Sequence, residues 1–330
     1  MVNIKDVAKA AGVSPSTVSR VLVGAVPVAP ATKEKVLKVV KDLNYQPNAL
    51  AQGLKGGRIK TIGLIIPNVR NLVFPAAVRG IEDTAKQFGY TVVLCNADDD
   101  TSKEIFYIEA LKRRLIDGFI FSTARPGSDH IGELGRAGFP VVSLLRHYGN
   151  EVDAVILDNA GGAYTATKYL LSRGLRRIAV LNGWMDLVLY QERFAGYKRA
   201  LAEAGLAVDP VMVVDNIGGG DEAYVAMNRL LDEGVRPDAV FATSDPKAIG
   251  AIRALKDRGF RVPEDVSVMG FDNIDMVNLI DPPLTTMAQP FYEMGAQACK
   301  RLIKLIESSR RPRVKIEMLT AQIVVRRSVI

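Results

Sequence analysis

The stretch GVSPSTVSRVL, Gly12 to Leu22, gathers four hydroxyl side chains (Ser14, Ser16, Thr17 and Ser19) and one guanidinium (Arg20) on an apolar backing of Val13, Val18, Val21 and Leu22. Such donors suit phosphate oxygens and base edges in a DNA groove, and they equally suit an ordinary solvated amphipathic helix. Groups for covalent or metal chemistry are scarce by comparison. The chain has two histidines, His130 and His147, and no GxSxG, phosphate-binding loop or HExxH motif. Cys95 and Cys299 lack CxxC spacing or neighbouring histidines, so they read as buried apolar side chains and not as a zinc site or a disulfide. The run Asp98 to Asp100 follows an apolar segment and could bind a metal, but a solvated loop is the simpler reading. No enzyme activity, cofactor or metal site is expected.

The placement of charge says more about the opening stretch. Residues 1–60 hold ten Lys or Arg against three acids (Asp6, Glu34 and Asp42), and the remaining residues hold 33 bases and 33 acids. All of the net charge of +7 therefore sits at one end, which predicts a polyanion-binding head on a neutral body. With 330 residues, 48% of them apolar, two or three soluble domains are expected. No apolar run approaches the roughly 18 residues of a membrane span, and MVNIKDVAKAAG has no apolar signal region, so a cytoplasmic protein without a membrane partner is expected.

The elements that must carry the hydroxyls and Arg20 are three short helices. Ile4, Val7, Ala8 and Ala11 recur at helical spacing, and Gly12 suits the turn because it tolerates positive φ. Ser14 followed by Pro15 reads as an N-cap and first-turn pair, starting a second helix that runs to about Val23. Pro30 opens a third helix with Val36, Val40 and Leu43 on one face; Ala29 before it cannot cap with a side chain, a weakness of about 1 kcal/mol. Beyond Pro47 the segment NALAQGL has room for two helical turns before KGG breaks them. It is too short to hold alone in water and is expected to order only when bound.

From Thr61 the pattern changes. The runs TIGLIIP, YTVVLCN, GFIFST, PVVSLL, AVILDN, RIAVLNG, VMVVD, AVFAT and VSVMGFD alternate with amphipathic helical stretches. Fully apolar strands between such helices predict α/β architecture with parallel sheets covered on both faces. Nine strands suggest two open sheets, with a ligand cleft beyond their carboxyl ends.

The order of IKDVAKAAGVSPSTVSRVL, LNYQPNALAQGL, TIGLIIP, RFAGYKRAL, VPEDVSVMGFDNI and PPLTTMAQP resembles the LacI/GalR family of bacterial transcriptional regulators nearly end to end. The resemblance implies a helix-turn-helix headpiece over residues 1–46, a hinge helix and linker over 47–59, and a periplasmic-binding-protein-like core over 60–330. One lobe would take about 60–159 and 290–320, the other about 160–289 and 321–330, with crossovers near Asn159, Gln289 and Thr320. It further implies a homodimer on pseudo-palindromic operator DNA with a small-molecule effector. The closing VVRRSVI has no heptad tail, which favours a dimer over a tetramer.

On this resemblance Pro15, Ser16 and Arg20 take the specificity positions of the recognition helix, and Ser14, Thr17 and Ser19 hold phosphates. Arg20 can make a bidentate pair with guanine, worth about 1–3 kcal/mol of discrimination. Asn48, Ala51 and Leu54 fall in the hinge, where Leu54 aligns with the leucine that wedges into the minor groove; Gln52 stands where arginine is frequent. In the cleft, Arg193 and Asp272 match the family's polar clamp on ligand hydroxyls or ring nitrogens, an ion pair being the alternative. Phe74 and Trp184 are candidate stacking surfaces, and Ser244 replaces the commoner Asn before Asp245. Leu145 stands before Arg146 where an acid is frequent, and Leu187 and Leu189 replace polar residues of the purine-responsive member. A sugar or sugar derivative is therefore the expected effector, and repression the expected output. The competing readings are a cytoplasmic carbohydrate-binding protein without regulatory DNA binding, and a transported-sugar receptor, which would lack the basic head.

Overall fold

Asn3 opens the first helix. Its side-chain oxygen accepts from Lys5 N at 2.9 Å and Asp6 N at 3.3 Å, while the Asp6 carboxylate accepts from Asn3 N at 2.9 Å, a reciprocal cap. Helix α1 (Ile4–Ala11) buries Val7, Ala8 and Ala11, and Gly12 turns the chain with φ 64°. The next helix, α2 (Pro15–Val23), begins where Ser14 Oγ accepts from Thr17 N at 3.2 Å, as the Ser–Pro pair predicts. Pro30 then starts α3 (Pro30–Asp42), which has no side-chain cap at Ala29. Val7, Ala11, Val18, Val21 and Val36 close a small core of their own. A computed structural model describes residues 2–23, 27–45, 58–113, 116–147, 149–310 and 312–330. Asn48, Ala51, Gln52 and Leu54 lie outside the described residues.

Two compact units result, residues 1–61 with 110–117 and residues 62–109 with 118–330. In the first, the Asp117 carboxylate accepts from the backbone N–H of Ile59 at 3.1 Å and of Lys60 at 2.6 Å. Those bonds hold Lys60 in the left-handed region, φ 60°.

The second unit has two six-stranded sheets. One takes β1 (Thr61–Ile66), β2 (Thr91–Asn96), β3 (Gly118–Phe121), β4 (Val141–Leu144), β5 (Asp153–Leu157) and β11 (Ile316–Leu319), in the order β11-β5-β4-β3-β1-β2. The other takes β6 (Ile178–Leu181), β7 (Val213–Val214), β8 (Ala239–Ala242), β9 (Ser267–Asp272), β10 (Thr285–Ala288) and β12 (Gln322–Val324), in the order β12-β10-β9-β8-β6-β7. Pairing is parallel from β11 through β1 and from β10 through β7, and antiparallel between β10 and β12. The nine apolar runs all become strands; β10, β11 and β12 are additional to them. The chain passes between the sheets at Asp158–Asn159, Gln289–Pro290 and Thr320–Ala321, where Asp158 N donates to Leu319 O at 2.8 Å.

Helices cover the sheets in close pairs. Gly80 of α4 (Phe74–Gln87) faces Gly295 of α11 (Phe291–Glu307), and a Cβ on either would lie 2.0 Å or 2.1 Å from a backbone oxygen of the other helix. Only glycine allows that approach. The same holds where α9 (Gly220–Asp232) meets α10 (Asp245–Asp257): a Cβ on Gly250 would lie 2.0 Å from Gly220 O.

Candidate functional site

On α2 the residues divide by exposure. Val18 and Val21 face the small core, Thr17 and Ser19 are half-buried, and Ser14, Pro15, Ser16 and Arg20 are exposed. Ser14 Oγ bonds to Ser16 Oγ at 2.7 Å and Thr17 Oγ1 at 2.9 Å besides capping the helix, so the three hydroxyls form one linked group at the start of α2. Ser16 and Arg20 share one outward face at i, i+4 spacing. Arg20 makes no bond among the described residues, so its five donors are available to a partner.

In the core, the carboxyl ends of the strands gather the polar groups. Arg193 lies on α8 (Val188–Glu203) and is 5% exposed. Its Nε donates to Asn159 Oδ1 at 3.0 Å and its Nη1 to Thr243 O at 2.6 Å, while the guanidinium stacks over the Phe271 ring at 3.9 Å. Asp272 ends β9 with φ 131°, a conformation rare for a residue with a side chain and held here by its surroundings. Its Oδ1 accepts from Gln289 Nε2 at 2.7 Å and stands 3.8 Å from Arg193 Nη1, too far for a hydrogen bond. Burial pushes the Asp272 carboxyl up to about 7; Arg193 opposes the shift and the Asp245 charge adds to it. Asp245 is fully buried, accepting from Thr286 Oγ1 at 2.5 Å and Ile274 N at 2.9 Å, and burial raises its pKa too. A donor fork and an acceptor pair thus stand side by side with bonding capacity left over. At neighbouring strand ends, Thr123 Oγ1 and Asn182 Oδ1 are buried without a hydrogen-bond partner among the described residues.

The lobes are closed on each other. Arg125 of the first pairs with Asp186 of the second, and the space bounded by Ala124, Arg146, Asn159, Leu187 and Leu189 is only about 10 Å³. A space of that size admits no more than about one water. A concavity of about 690 Å³ between β7 and α9, lined by Val211, Val225 and Leu230, involves none of the clamp residues.

Comparison with known proteins fits this two-part arrangement. The model of the lacI family of bacterial regulatory proteins matches residues 3–48, and that of the periplasmic binding protein-like domain matches residues 167–329. The catabolite control protein A of Priestia megaterium is 36% identical over 305 residues, covering 92% of each chain. The chain belongs to the LacI family. The ribose operon repressor of Halalkalibacterium halodurans is 38% identical over 324 residues, 98% of this chain and 96% of that one. The crystal structure of the Lac repressor dimer bound to operator and the anti-inducer ONPF matches with a TM-score of 0.87 at 27% identity, covering 99% of this chain and 98% of that one.

Within this LacI-family core the remaining sequence candidates are distributed unevenly. Phe74 is 5% exposed and packs into the apolar core at the start of α4. Trp184 is 38% exposed with its ring edge close over Gly218. Ser244, 8% exposed, lies beside the clamp and accepts from Lys247 Nζ at 3.1 Å. The three carboxylates of ADDD are taken by groups of the protein: Asp98 by Lys103 and Asn96, Asp99 by Arg146 beyond β4, and Asp100 by the first turn of α5 (Thr101–Arg113). Two cleft residues were missed by sequence reasoning. Tyr190 lies beneath Arg193 and Lys247, and Lys247 is fully buried on α10. The signal for Lys247 was present: it shares a helical stripe with Ala251, Ala254 and Leu255, all buried, where a lysine is out of place.

Proposed function

We propose that this chain is a sequence-specific DNA-binding transcriptional repressor. It acts as a homodimer on a pseudo-palindromic operator, and a small molecule, a sugar or sugar derivative, controls it from the cleft between the lobes. The observation that carries this is the pairing, on one chain, of a net-basic three-helix head presenting Ser16 and Arg20 outward with a two-lobed core whose buried Arg193 and Asp272 converge at strand ends. The similarity to the catabolite control protein, the ribose operon repressor and the operator-bound Lac repressor, all regulators by name, supports the same reading. The protein works in the cytoplasm, where its operator is.

In this reading Arg20 selects a guanine and Ser16 adds a weaker contact, while Ser14, Thr17, Ser19 and backbone groups hold phosphates. Asn48, Ala51 and Leu54 supply the central minor-groove contact. Effector binding is coupled to DNA binding by linkage: a ligand that prefers one lobe arrangement changes operator affinity by its preference for that arrangement. Selection of bound sequences from a random DNA pool, followed by gel shift at rising salt, tests the proposal. Enrichment of an inverted repeat with a steep salt slope is expected, and failure to bind DNA at any salt overturns it.

A further inference from the structure

The polyol clamp leaves one buried charge of the cleft wall unexplained. Lys247 is 1% exposed. Its ammonium donates to Ser244 Oγ at 3.1 Å and Tyr190 OH at 3.4 Å, and stands 4.6 Å from the centre of the Tyr190 ring. No carboxylate pairs with it among the described residues. The two buried aspartates nearby make their hydrogen bonds elsewhere, Asp245 with Thr286 and Ile274 N, Asp272 with Gln289; the Asp272 carboxylate acts on Lys247 only through space, beyond ion-pair distance. Arg193 also flanks the Tyr190 ring, its guanidinium 5.6 Å from the centre, so one phenol lies against two buried cations. Those charges outweigh burial and bring the Tyr190 phenol below its ordinary range.

An ammonium whose direct contacts are two neutral oxygens and a ring face, with the nearest buried carboxylate beyond ion-pair distance, keeps a charge that the protein interior compensates only in part, and a ligand counter-charge would complete it. The core could have been closed here with a methionine or leucine of similar volume. We propose that Lys247, with the Tyr190 and Ser244 hydroxyls, seats an anionic group of the effector, so that the ligand is an acidic sugar derivative bearing a carboxylate or a phosphate. This rests on the cleft being the effector site. The clamp then holds the hydroxyl end of the ligand and Lys247 its acidic end. A neutral sugar leaves the buried charge unanswered, and the site discriminates against it for that reason.

The test uses the full-length protein at constant ionic strength. Thermal melting is followed with D-glucose, D-galactose and D-ribose against D-gluconate, D-glucuronate, D-galacturonate, glucose 6-phosphate and ribose 5-phosphate, with acetate and inorganic phosphate as plain anions. At least one acid is expected to raise the midpoint where its neutral parent does not. Response confined to carboxylates or to phosphates identifies which group is seated. In Lys247→Met that acid is expected to bind about tenfold more weakly or worse, and Lys247→Arg is expected to recover part of the loss. Melting of each variant without ligand separates lost binding from lost folding, and the wild-type comparison stands apart from the variants. A neutral sugar that binds as tightly as its acid, or an acid preference that survives in a folded Lys247→Met, overturns the proposal while leaving a sugar effector in place. If neither class shifts the midpoint, both the acidic and the sugar readings fall.

Discussion

Arg193 donates from Nε to Asn159 Oδ1 across 3.0 Å, and Asn159 stands where the chain first crosses from one lobe to the other. Asp272, beside Arg193 in the clamp, accepts at 2.7 Å from Gln289, which stands at the second crossing. The groups proposed to hold the effector are therefore the groups that already hold two of the three passages between lobes. A ligand that recruits the Arg193 fork and the Asp272 carboxylate redistributes hydrogen bonds at the hinge itself, and no longer chain of contacts is needed to connect binding with lobe arrangement.

Arg20→Ala is expected to lower operator affinity by about 1–3 kcal/mol and to relax selectivity at one base position per half-site. Ser16→Ala is expected to cost less. Fluorescence anisotropy with single-base operator variants checks both. Equal loss on every sequence, with a salt slope reduced by about one, would make Arg20 a phosphate contact instead.

Asp272 imposes a pH dependence whose sign is fixed. Its carboxyl titrates at about 7 in the folded chain, well above the unfolded range, so between about pH 4 and pH 7 the folded state binds the extra proton and this group's contribution to stability declines as pH rises. Asp272→Asn removes the titration. The melting midpoint of the variant minus that of the wild type is expected to increase from pH 5 to pH 8, and a difference that is flat or decreasing contradicts the assignment.

Gly80→Ala and Gly295→Ala each place a methyl about 2 Å from a backbone oxygen of the facing helix, and destabilisation of roughly 1–3 kcal/mol or more is expected. Gly219→Ala is the milder comparison, since a Cβ there meets nothing within 4 Å and only the helix N-cap is affected; a loss of about 1 kcal/mol or less is expected. Chemical denaturation of the three variants settles the comparison.

Arg125→Ala removes the pairing with Asp186 across the cleft. Both side chains are partly exposed, so the pair contributes under about 1 kcal/mol and effector affinity is expected to change by no more than about fivefold. A much larger change, measured by titration calorimetry, would show that the contact governs closure.

The nine apolar strands were legible because each is buried on both faces and reads as an uninterrupted run. Strands β10 to β12 were not. Thr285 and Thr286 make half of β10, β11 exposes Ile316 and Met318, and β12 is three residues pairing antiparallel at a sheet edge. The cap at Asn3 escaped notice because Asp6 takes the place usually given to glutamate. Arg193 and Asp272 came from family resemblance, since no local pattern brings a helix residue and a strand end together. Lys247 belongs to no motif, and only its place on an apolar helical stripe marks it in the sequence.

The three passages between the lobes leave from neighbouring strands. β5 and β11 are hydrogen-bonded at the edge of one sheet, β10 and β12 at the edge of the other, and Asp158 and Leu319 are bonded where two passages run side by side. A single connecting strand would act as a universal joint; three bound together act as a door hinge. Twisting and sliding of one lobe on the other would shear backbone bonds, which leaves essentially one degree of freedom, opening and closing. A molecule held in the cleft therefore has chiefly one angle to set, so that ligands of quite different shape can stabilise the same lobe arrangement.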